Sequence, residues 1–198
     1  MSIFNIELQQ KKITSKIVVS LERISEAFKS LLWDYAKTIG LSPIQIQLLI
    51  FIAYHKDELC KVSHLANEFN ITKPTISEAI KVLNTKGLIK KEYSELDNRS
   101  YTISLTIKGA KVVENTENFA DPIMVEVEKI DNKSLDILYG SLTQLIYNLN
   151  KKGVLNVQRT CYACRFYEKN KRRHYCNLLA KELYIKEIRI DCPEFENK

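Results

Sequence analysis

The stretch that decides the fold is ITKPTISEAIKVLNTKGLIKKEYSELDNRSYTISLT, residues 71–106. Its first half has apolar side chains at helical spacing behind Thr72, a residue type that favours the N-cap. A proline lies in the first turn, where its missing N–H costs nothing. Gly87 ends this helix, and two β-prone runs, 88–93 and 100–105, then flank a polar tip. The stretch therefore predicts a helix followed by a β-hairpin.

Helical periodicity also marks the chain before this stretch. Residues 15–39 repeat apolar side chains at helical spacing up to a terminating glycine. A second helix begins at Ser42, where a glutamine three residues later completes a capping box, and it extends to about His55. A third, short helix covers residues 61–70. Three helices followed by a hairpin are typical of a winged helix-turn-helix, so the predicted fold class is mainly α with a small β wing.

The chain after the hairpin is predicted to be helical again. Thr106 is the predicted N-cap of a helix over residues 107–119, and residues 134–150 form another amphipathic helix. The helices at 15–39 and 134–150 carry more apolar surface than one winged lobe covers, so we expect them to pair across a two-fold axis. The predicted divisions are an N-terminal dimerisation helix at 1–39, a winged helix-turn-helix DNA-binding lobe at 40–106, C-terminal dimerisation helices at 107–153, and a linker with a small cysteine-rich tail at 154–198.

The polar face of the helix within residues 72–86 is suited to DNA. With Ile76, Ile80 and Leu83 facing inward, the opposite face carries side chains that hydrogen-bond, and such a helix fits a major groove about 12 Å wide. The hairpin offers basic side chains to the DNA backbone or the minor groove, and we expect Asp97 to orient the arginine at the wing tip. The predicted DNA-contacting residues are Lys73, Thr75, Ser77, Lys81, Lys90, Lys91 and Arg99.

Six short motifs in this region, LSPIQ, LANEF, PTIS, KGLI, DNR and SLTIKG, resemble those of the MarR family of bacterial transcriptional regulators. The resemblance covers about residues 20–150. It implies a homodimer whose two winged lobes bind a pseudo-palindromic operator in double-stranded DNA. It also implies a small-molecule, metal or redox effector that changes the spacing of the lobes. The chain departs from the family at Glu78, where a neutral or basic residue is common.

The positive charge of the chain is concentrated near its C-terminus. The formal net charge is +6. Residues 40–106 carry eight Lys/Arg against seven Asp/Glu, a net charge of +1, whereas residues 154–198 carry ten against six, a net charge of +4. The winged lobe alone therefore offers little electrostatic attraction to DNA phosphates, and the basic tail is a candidate to supplement it.

Four of the five cysteines fall in the last 38 residues, with the spacing C-x2-C-x11-C-x15-C-P. A C-x2-C pair places two thiolates on one tight turn, as zinc knuckles and iron–sulfur sites require. Zinc is the first expectation, because it is the commonest ion in structural four-cysteine sites. A [4Fe–4S] cluster is the alternative, favoured by the Cys-Pro end and the nearby aromatic residues. A disulfide switch or unrelated buried thiols fit the clustering less well. The predicted metal ligands are Cys161, Cys164, Cys176 and Cys192.

A basic insert, EKNKRRH at 168–174, lies between the second and third of these cysteines. Its charges either offset the negative charge of a four-thiolate centre or form a phosphate-binding arm that supplements the lobe. His174 is a further candidate to replace one cysteine as a ligand. Cys60, which stands apart from the others, is interpreted as a small apolar filler.

Several function classes fit the sequence poorly. It has no apolar run of about 18 residues and no signal-peptide pattern, so we expect a cytoplasmic protein, where thiols stay reduced. It has no nucleophile–base pair, paired carboxylates or phosphate loop, so we do not expect an enzyme. The leading prediction is a homodimeric DNA-binding transcriptional regulator with a four-cysteine metal site. The alternative is a redox or iron–sulfur electron-carrying protein on a winged-helix scaffold.

Overall fold

The computed structural model of the chain describes residues 2–94, 97–171 and 173–198, without the side chains of residues 8, 94 and 97–100. These residues form mainly helix, with a two-stranded hairpin in the middle and a three-stranded sheet near the C-terminus. The helices are α1 (Ile6–Lys11), α2 (Ile13–Ile39), α3 (Pro43–Tyr54), α4 (Val62–Glu68), α5 (Lys73–Thr85), α6 (Ile107–Thr116), α7 (Asp121–Val127) and α8 (Asn132–Lys151). The strands are β1 (Ile89–Ser94), β2 (Asp97–Leu105), β3 (Tyr167–Asn170), β4 (Arg173–Cys176) and β5 (Lys181–Leu183).

The chain folds into two compact units that each draw on two segments. The first unit comprises Met1–Tyr54 and Ala79–Met124, and the second comprises His55–Glu78 and Val125–Lys198. Helix α4 and the start of α5 therefore belong to the same unit as the cysteine-rich tail. The divisions predicted from the sequence are consecutive segments of the chain, whereas each of these packed units combines two segments that are distant in sequence.

Apolar side chains of α3 form much of the core of the first unit. The predicted capping box is present, because the Ser42 N–H donates to Gln45 Oε1 at 2.9 Å. Helix α6 packs against α3, and Thr106 caps α6 by accepting the Gly109 N–H at 3.0 Å. A Cβ at Gly109 would lie 1.9 Å from the Leu88 carbonyl oxygen, so this close approach requires glycine. The buried apolar side chains of α3 are Ile46, Leu48, Leu49, Phe51 and Ile52.

Helix α5 and the hairpin have the structure that the sequence predicts. Ile76, Ile80 and Leu83 are each 0% exposed, which confirms the inward face of α5. The helix ends where Gly87 adopts a left-handed φ of 68°. Strands β1 and β2 pair antiparallel, with Ile89 opposite Leu105. Strand β2 begins three residues earlier than the predicted run at 100–105.

The second unit joins α8 to the tail. Asp131 caps α8 by accepting the Ser134 N–H at 3.0 Å. The Tyr139 hydroxyl of α8 donates to the Ile188 carbonyl oxygen, and a short 3-10 turn at Ile185–Glu187 packs on the same helix. The three strands of the tail form an antiparallel sheet in the order β3-β4-β5. The tail therefore packs directly against α8.

In the described part of the chain, no single helix combines the length and the apolar character that crossing a membrane requires. Helices α2 and α3 reach the length and hydropathy of a span only when they are taken together, and they are bent by 94° at the break between them.

Candidate nucleic-acid interface and cysteine cavity

The outer face of α5 is polar along its length. Because Ile76, Ile80 and Leu83 are buried, the side chains on the other side of the helix are exposed. At the N-terminus of the helix, the Thr75 N–H donates to Thr72 Oγ1 at 3.4 Å, and the two threonine hydroxyls are 2.8 Å apart. All four predicted contact residues of this helix lie on the exposed face: Lys73, Thr75, Ser77 and Lys81.

The predicted lysines of the wing both make contacts within the hairpin. Lys90 pairs with Glu92 at 2.8 Å, and the hydrogen bond from Lys90 lowers the pKa of that carboxyl. The Lys91 ammonium lies 4.6 Å from the ring centroid of Tyr101, a cation–π distance. The predicted roles of Asp97 and Arg99 depend on side chains that lie outside the described residues.

The four cysteines of the tail line one cavity of about 30 Å³. Cys161 and Cys164 come from a 3-10 turn in which the Cys164 N–H donates to the Cys161 carbonyl at 3.0 Å, so the C-x2-C pair sits on one tight turn as predicted. Cys176 ends β4, and Cys192 follows from the C-terminal segment. The rest of the lining is mainly apolar and includes Phe166, Tyr167, Leu178, Leu179 and Leu183.

Arg189 donates to two of the four sulfurs. Its backbone N–H lies 3.2 Å from Cys161 Sγ, and its Nη1 lies 3.7 Å from Cys192 Sγ. Burial raises the pKa of the Cys161 thiol, the Arg189 N–H acts in the opposite direction, and the other three thiols raise it further. Hydrogen bonds to sulfur are typical of thiolate metal centres, where they offset the negative charge of the ligands. The residue types that line the cavity are thus those of a four-thiolate centre.

The cysteines share this cavity without converging on one point. Among the residues that the structure describes, no group of three or more His, Cys, Asp or Glu side chains is arranged to hold a metal ion. His174, the alternative ligand, is buried elsewhere: its Nδ1 is hydrogen-bonded to the Tyr167 hydroxyl, the two rings stack at 5.8 Å, and burial lowers its pKa. His174 does not line the cavity.

The basic insert forms the β3–β4 hairpin of the tail. Lys169, Lys171 and Arg173 are exposed, and Arg173 lies 3.9 Å from Glu182. Arg172 lies outside the described residues. Because His174 is buried against Tyr167, the exposed positive charge in the described part of the insert comes from Lys169, Lys171 and Arg173.

No pattern in the sequence indicated a set of polar contacts between the tail and residues 55–78, which are the helix-turn-helix segment of the second unit. The Arg159 guanidinium donates to both carboxylate oxygens of Glu68, at 2.7 and 3.0 Å, and it also pairs with Asp191. Asp191 is 2.7 Å from His55 Nε2 as well. Arg159 and Glu68 are 91 positions apart, so no local pattern could have indicated the pair.

Cys60 has the environment expected of an apolar filler. It is 0% exposed, and burial raises the pKa of its thiol to about 11. Its Sγ lies 3.6 Å from the Lys56 carbonyl oxygen. A buried thiol with a raised pKa carries little thiolate and is chemically inert.

Comparison with known proteins gives consistent results for the winged-helix region. The model of the MarR family matches residues 39–100. YdgJ of Bacillus subtilis (strain 168), an uncharacterized HTH-type transcriptional regulator, is 26% identical over 112 residues, which are 56% of this chain and 67% of YdgJ. The HTH-type transcriptional repressor YetL of the same strain is 24% identical over 136 residues, 68% of this chain and 81% of YetL.

Solved structures show the same fold. The S. aureus MepR–DNA complex is similar with a TM-score of 0.59 and 22% identity, and the match covers 67% of this chain and 97% of MepR. The relatives are transcriptional regulators, in agreement with the prediction that the chain is not an enzyme. Residues 39–100 are thus similar in sequence to the MarR family, and the chain shares the winged-helix fold of the matched structure.

Proposed function

We propose that the protein is a homodimeric, sequence-specific DNA-binding regulator of transcription. The observation that carries this proposal is the exposed polar face of α5. The opposite, apolar face of this helix consists of Ile76, Ile80 and Leu83, which are fully buried. A helix held in this way presents hydrogen-bonding side chains to the edges of base pairs. MepR, which has the same fold, was solved in complex with DNA.

The side chains of α5 divide by chemistry into two roles. The Thr75 and Ser77 hydroxyls donate and accept hydrogen bonds, so they contact base edges in the major groove. Lys73 and Lys81 carry charges that neutralise phosphates. Lys90, Lys91 and Arg99 of the wing contact the backbone or the minor groove, and Asp97 orients Arg99. Phosphate contacts set affinity and register, and the hydroxyls supply discrimination between sequences.

The homodimer is supported by apolar side chains that each unit leaves exposed. On α2, Ile13 is 69% exposed and Ile17 is 50% exposed, and on α8 Ile137 is 63% exposed. Exposed apolar residues repeated along two helices are typical of an interface. Because α2 and α8 are the predicted dimerisation helices, we propose that these faces pair around a two-fold axis.

Binding to selected DNA tests the regulatory function. Fragments enriched from the genomic DNA by the purified protein are labelled, and their affinity is compared with that of scrambled fragments at 0.15 M salt. A specific regulator binds its site roughly 10³-fold or more tightly than scrambled DNA. Lys81→Ala lowers affinity for both fragments, whereas Lys81→Arg keeps the charge and most of the affinity. Equal affinity for selected and scrambled DNA would instead favour the electron carrier, and a monomer in sedimentation at micromolar concentration would exclude the dimer.

We also propose that Cys161, Cys164, Cys176 and Cys192 hold a metal centre in a cytoplasmic protein. Zinc binds thiolates at about 2.3 Å, which draws four sulfurs close around one ion. The alternative is a [4Fe–4S] cluster, which four cysteine thiolates also hold, and the support for either centre is that the four cysteines line one cavity. Bound, either centre supplies folding free energy, and a cluster adds one-electron redox chemistry.

Metal analysis of protein purified without oxygen separates these centres. About four iron atoms per chain with visible absorption indicate the cluster, and one zinc per chain in a colourless protein indicates the ion. A protein that contains neither metal would overturn the proposed site while leaving the DNA-binding proposal intact.

A further inference from the structure

Two residues that touch the helix-turn-helix segment are neighbours of cysteines in the chain. Arg159 precedes Cys161 by two positions, and Asp191 directly precedes Cys192. Arg159 bonds both carboxylate oxygens of Glu68 at the end of α4, and Asp191 bonds His55 on the segment that leads into α4. The segments that carry two of the proposed ligands thus also carry the contacts to the DNA-binding helices.

The backbone joins these two segments to each other. The Cys192 N–H donates to the Arg159 carbonyl at 3.2 Å, and the Cys161 N–H donates to the Arg189 carbonyl at 3.1 Å. Arg159 and Asp191 form a parallel β-bridge, and their side chains pair as well. A shift of Cys161 or Cys192 therefore displaces the Arg159 guanidinium and the Asp191 carboxylate with it.

These contacts reach the end of α4 and the turn that leads into α5. Glu68 is the last residue of α4, and Asn70 adopts a left-handed φ of 54° in the turn between α4 and α5. Asn156, in the segment before the cysteines, donates to the Asn70 side chain. Two residues further on, Thr72 caps α5. The tail thus holds the end of α4 and the turn whose geometry sets the start of α5.

The Arg159–Glu68 pair at this contact is shielded from water, which makes it sensitive to geometry, whereas the Asp191 side chain is 45% exposed. The Arg159 side chain is 11% exposed and that of Glu68 is 19% exposed. A bidentate Arg–carboxylate pair in such surroundings requires both planes to stay aligned, and a partner left behind is an uncompensated, partly buried charge. An exposed pair such as Arg165–Glu196, with side chains 56% and 50% exposed, tolerates displacement because water replaces the lost bond.

We propose that Arg159 and Asp191 are positioning residues through which occupancy of the cysteine cavity controls the placement of α4 and the turn before α5, so that DNA affinity depends on the bound metal centre. This inference rests on the proposed function, namely on DNA binding and on the four-cysteine site. With the centre bound, the segments at 159–161 and 189–192 are fixed and the Arg159–Glu68 pair is formed. When the centre is lost, these segments become mobile and the Arg159–Glu68 pair breaks. The start of α5 then loses the contacts that position it.

A binding cycle tests the coupling. Affinity for the selected DNA is measured for metal-loaded protein and for protein stripped by an anaerobic chelator, in wild type, Arg159→Met and the matched control Arg165→Met. Stripping is expected to weaken wild type and Arg165→Met about tenfold, an effect within the usual range of coupling between two sites. Arg159→Met is expected to bind weakly in both states and to change by less than about twofold on stripping. A purely structural role for Arg159 would lower both affinities and leave the tenfold ratio.

Glu68→Gln keeps the test decisive if Arg159→Met fails to retain metal, because Glu68 lies on α4 and not in the tail. It is expected to keep its metal and to lose the tenfold ratio. If Glu68→Gln keeps the ratio, the inference is wrong. If wild type binds both metal and selected DNA but its affinity is the same after stripping, the inference fails and the proposed function stands. If wild type binds no metal or prefers no DNA sequence, the proposed function itself fails and the inference falls with it.

Discussion

The winged-helix segment and the cysteine-rich tail have cores of different composition. Helices α3 and α5 contribute aliphatic side chains that are fully buried, among them Ile46, Leu49, Ile76 and Ile80. In residues 154–198, the buried core cluster consists of Cys161, Cys164, Tyr167, Leu183 and Ile188, so two of its five members are cysteines. The first region has an aliphatic core, whereas the second has a core built largely around the proposed ligands.

This difference shows where the free energy of folding comes from in each region. Burying an aliphatic side chain contributes about 1.5–3 kcal/mol, so aliphatic burial is a large source of stability for α3 and for the buried face of α5. A module of the size of the tail rarely gains enough from its core alone, and such modules usually add a metal or a disulfide. We therefore expect the tail to depend on its metal centre and helices α3 and α5 to depend mainly on their apolar packing.

The largest effect is expected from removal of one ligand in the tail. Cys164→Ser leaves three thiolates that repel one another around an incomplete site, so the protein should lose all of its metal, and residues 160–198 should become sensitive to protease. Cys60→Ala is the matched control, because Cys60 is buried away from the cavity, and it should keep the full metal content. Cys164→Ser protein with wild-type metal content would show that the four cysteines do not form one site.

The next largest effect is expected in the aliphatic core. Ile80→Ala removes a fully buried side chain from α5 and should lower the free energy of unfolding by about 2–5 kcal/mol in urea denaturation. The matched control Ile107→Ala, at a side chain that is 83% exposed, should change it by less than about 0.5 kcal/mol. Metal content should stay at the wild-type level in both variants. A loss of metal in Ile80→Ala would show that the two regions do not draw on separate sources of stability.

A smaller effect is expected from the wing. Arg99→Ala should weaken binding to selected DNA and reduce the slope of log affinity against log salt concentration by about 0.9, because one phosphate contact is lost. Arg99→Lys should restore the slope. If Arg99→Ala matches wild type across the salt series, the wing does not contact DNA through this residue.

The smallest effect is expected at a helix cap of the first unit. The Thr106 hydroxyl accepts the Gly109 N–H and donates to the Gly87 carbonyl at 2.7 Å, so it joins the start of α6 to the end of α5. Thr106→Ala should cost about 1 kcal/mol in the free energy of unfolding, and Thr106→Ser should cost less because the hydroxyl remains. Equal losses in the two variants would assign the effect to the methyl group instead of the cap.

Local patterns predicted the winged helix well because its determinants are close together in the chain. The Thr72 cap, the buried face of α5 and the Gly87 terminus lie within 16 residues, and the structure has all three. The spacing of the tail cysteines predicted a shared metal site, and the structure places all four around one cavity. The dimer and the metal remain predictions, because they involve a second chain and a bound group.

Sequence reasoning could not find the contact between the tail and α4. The pair of Arg159 with Glu68 joins residues far apart in the chain, and neither residue belongs to a periodic pattern. Residues 151–159 resemble a linker in composition, yet Asn156 and Arg159 contact the helix-turn-helix segment. His174 lies among the basic residues of the insert in the sequence, whereas its stacking on Tyr167 depends on the register of β3 with β4.

Hydrogen–deuterium exchange with and without metal tests most directly whether the DNA-binding helices depend on the tail. Exchange is followed by mass spectrometry on full-length protein before and after anaerobic treatment with a chelator. Because helix α4 shares a compact unit with the tail, residues 55–78 should lose protection together with residues 159–198. Helices α3 and α6 should keep theirs. If α4 stays protected while the tail opens, the metal site does not support the helix-turn-helix, and the account is contradicted.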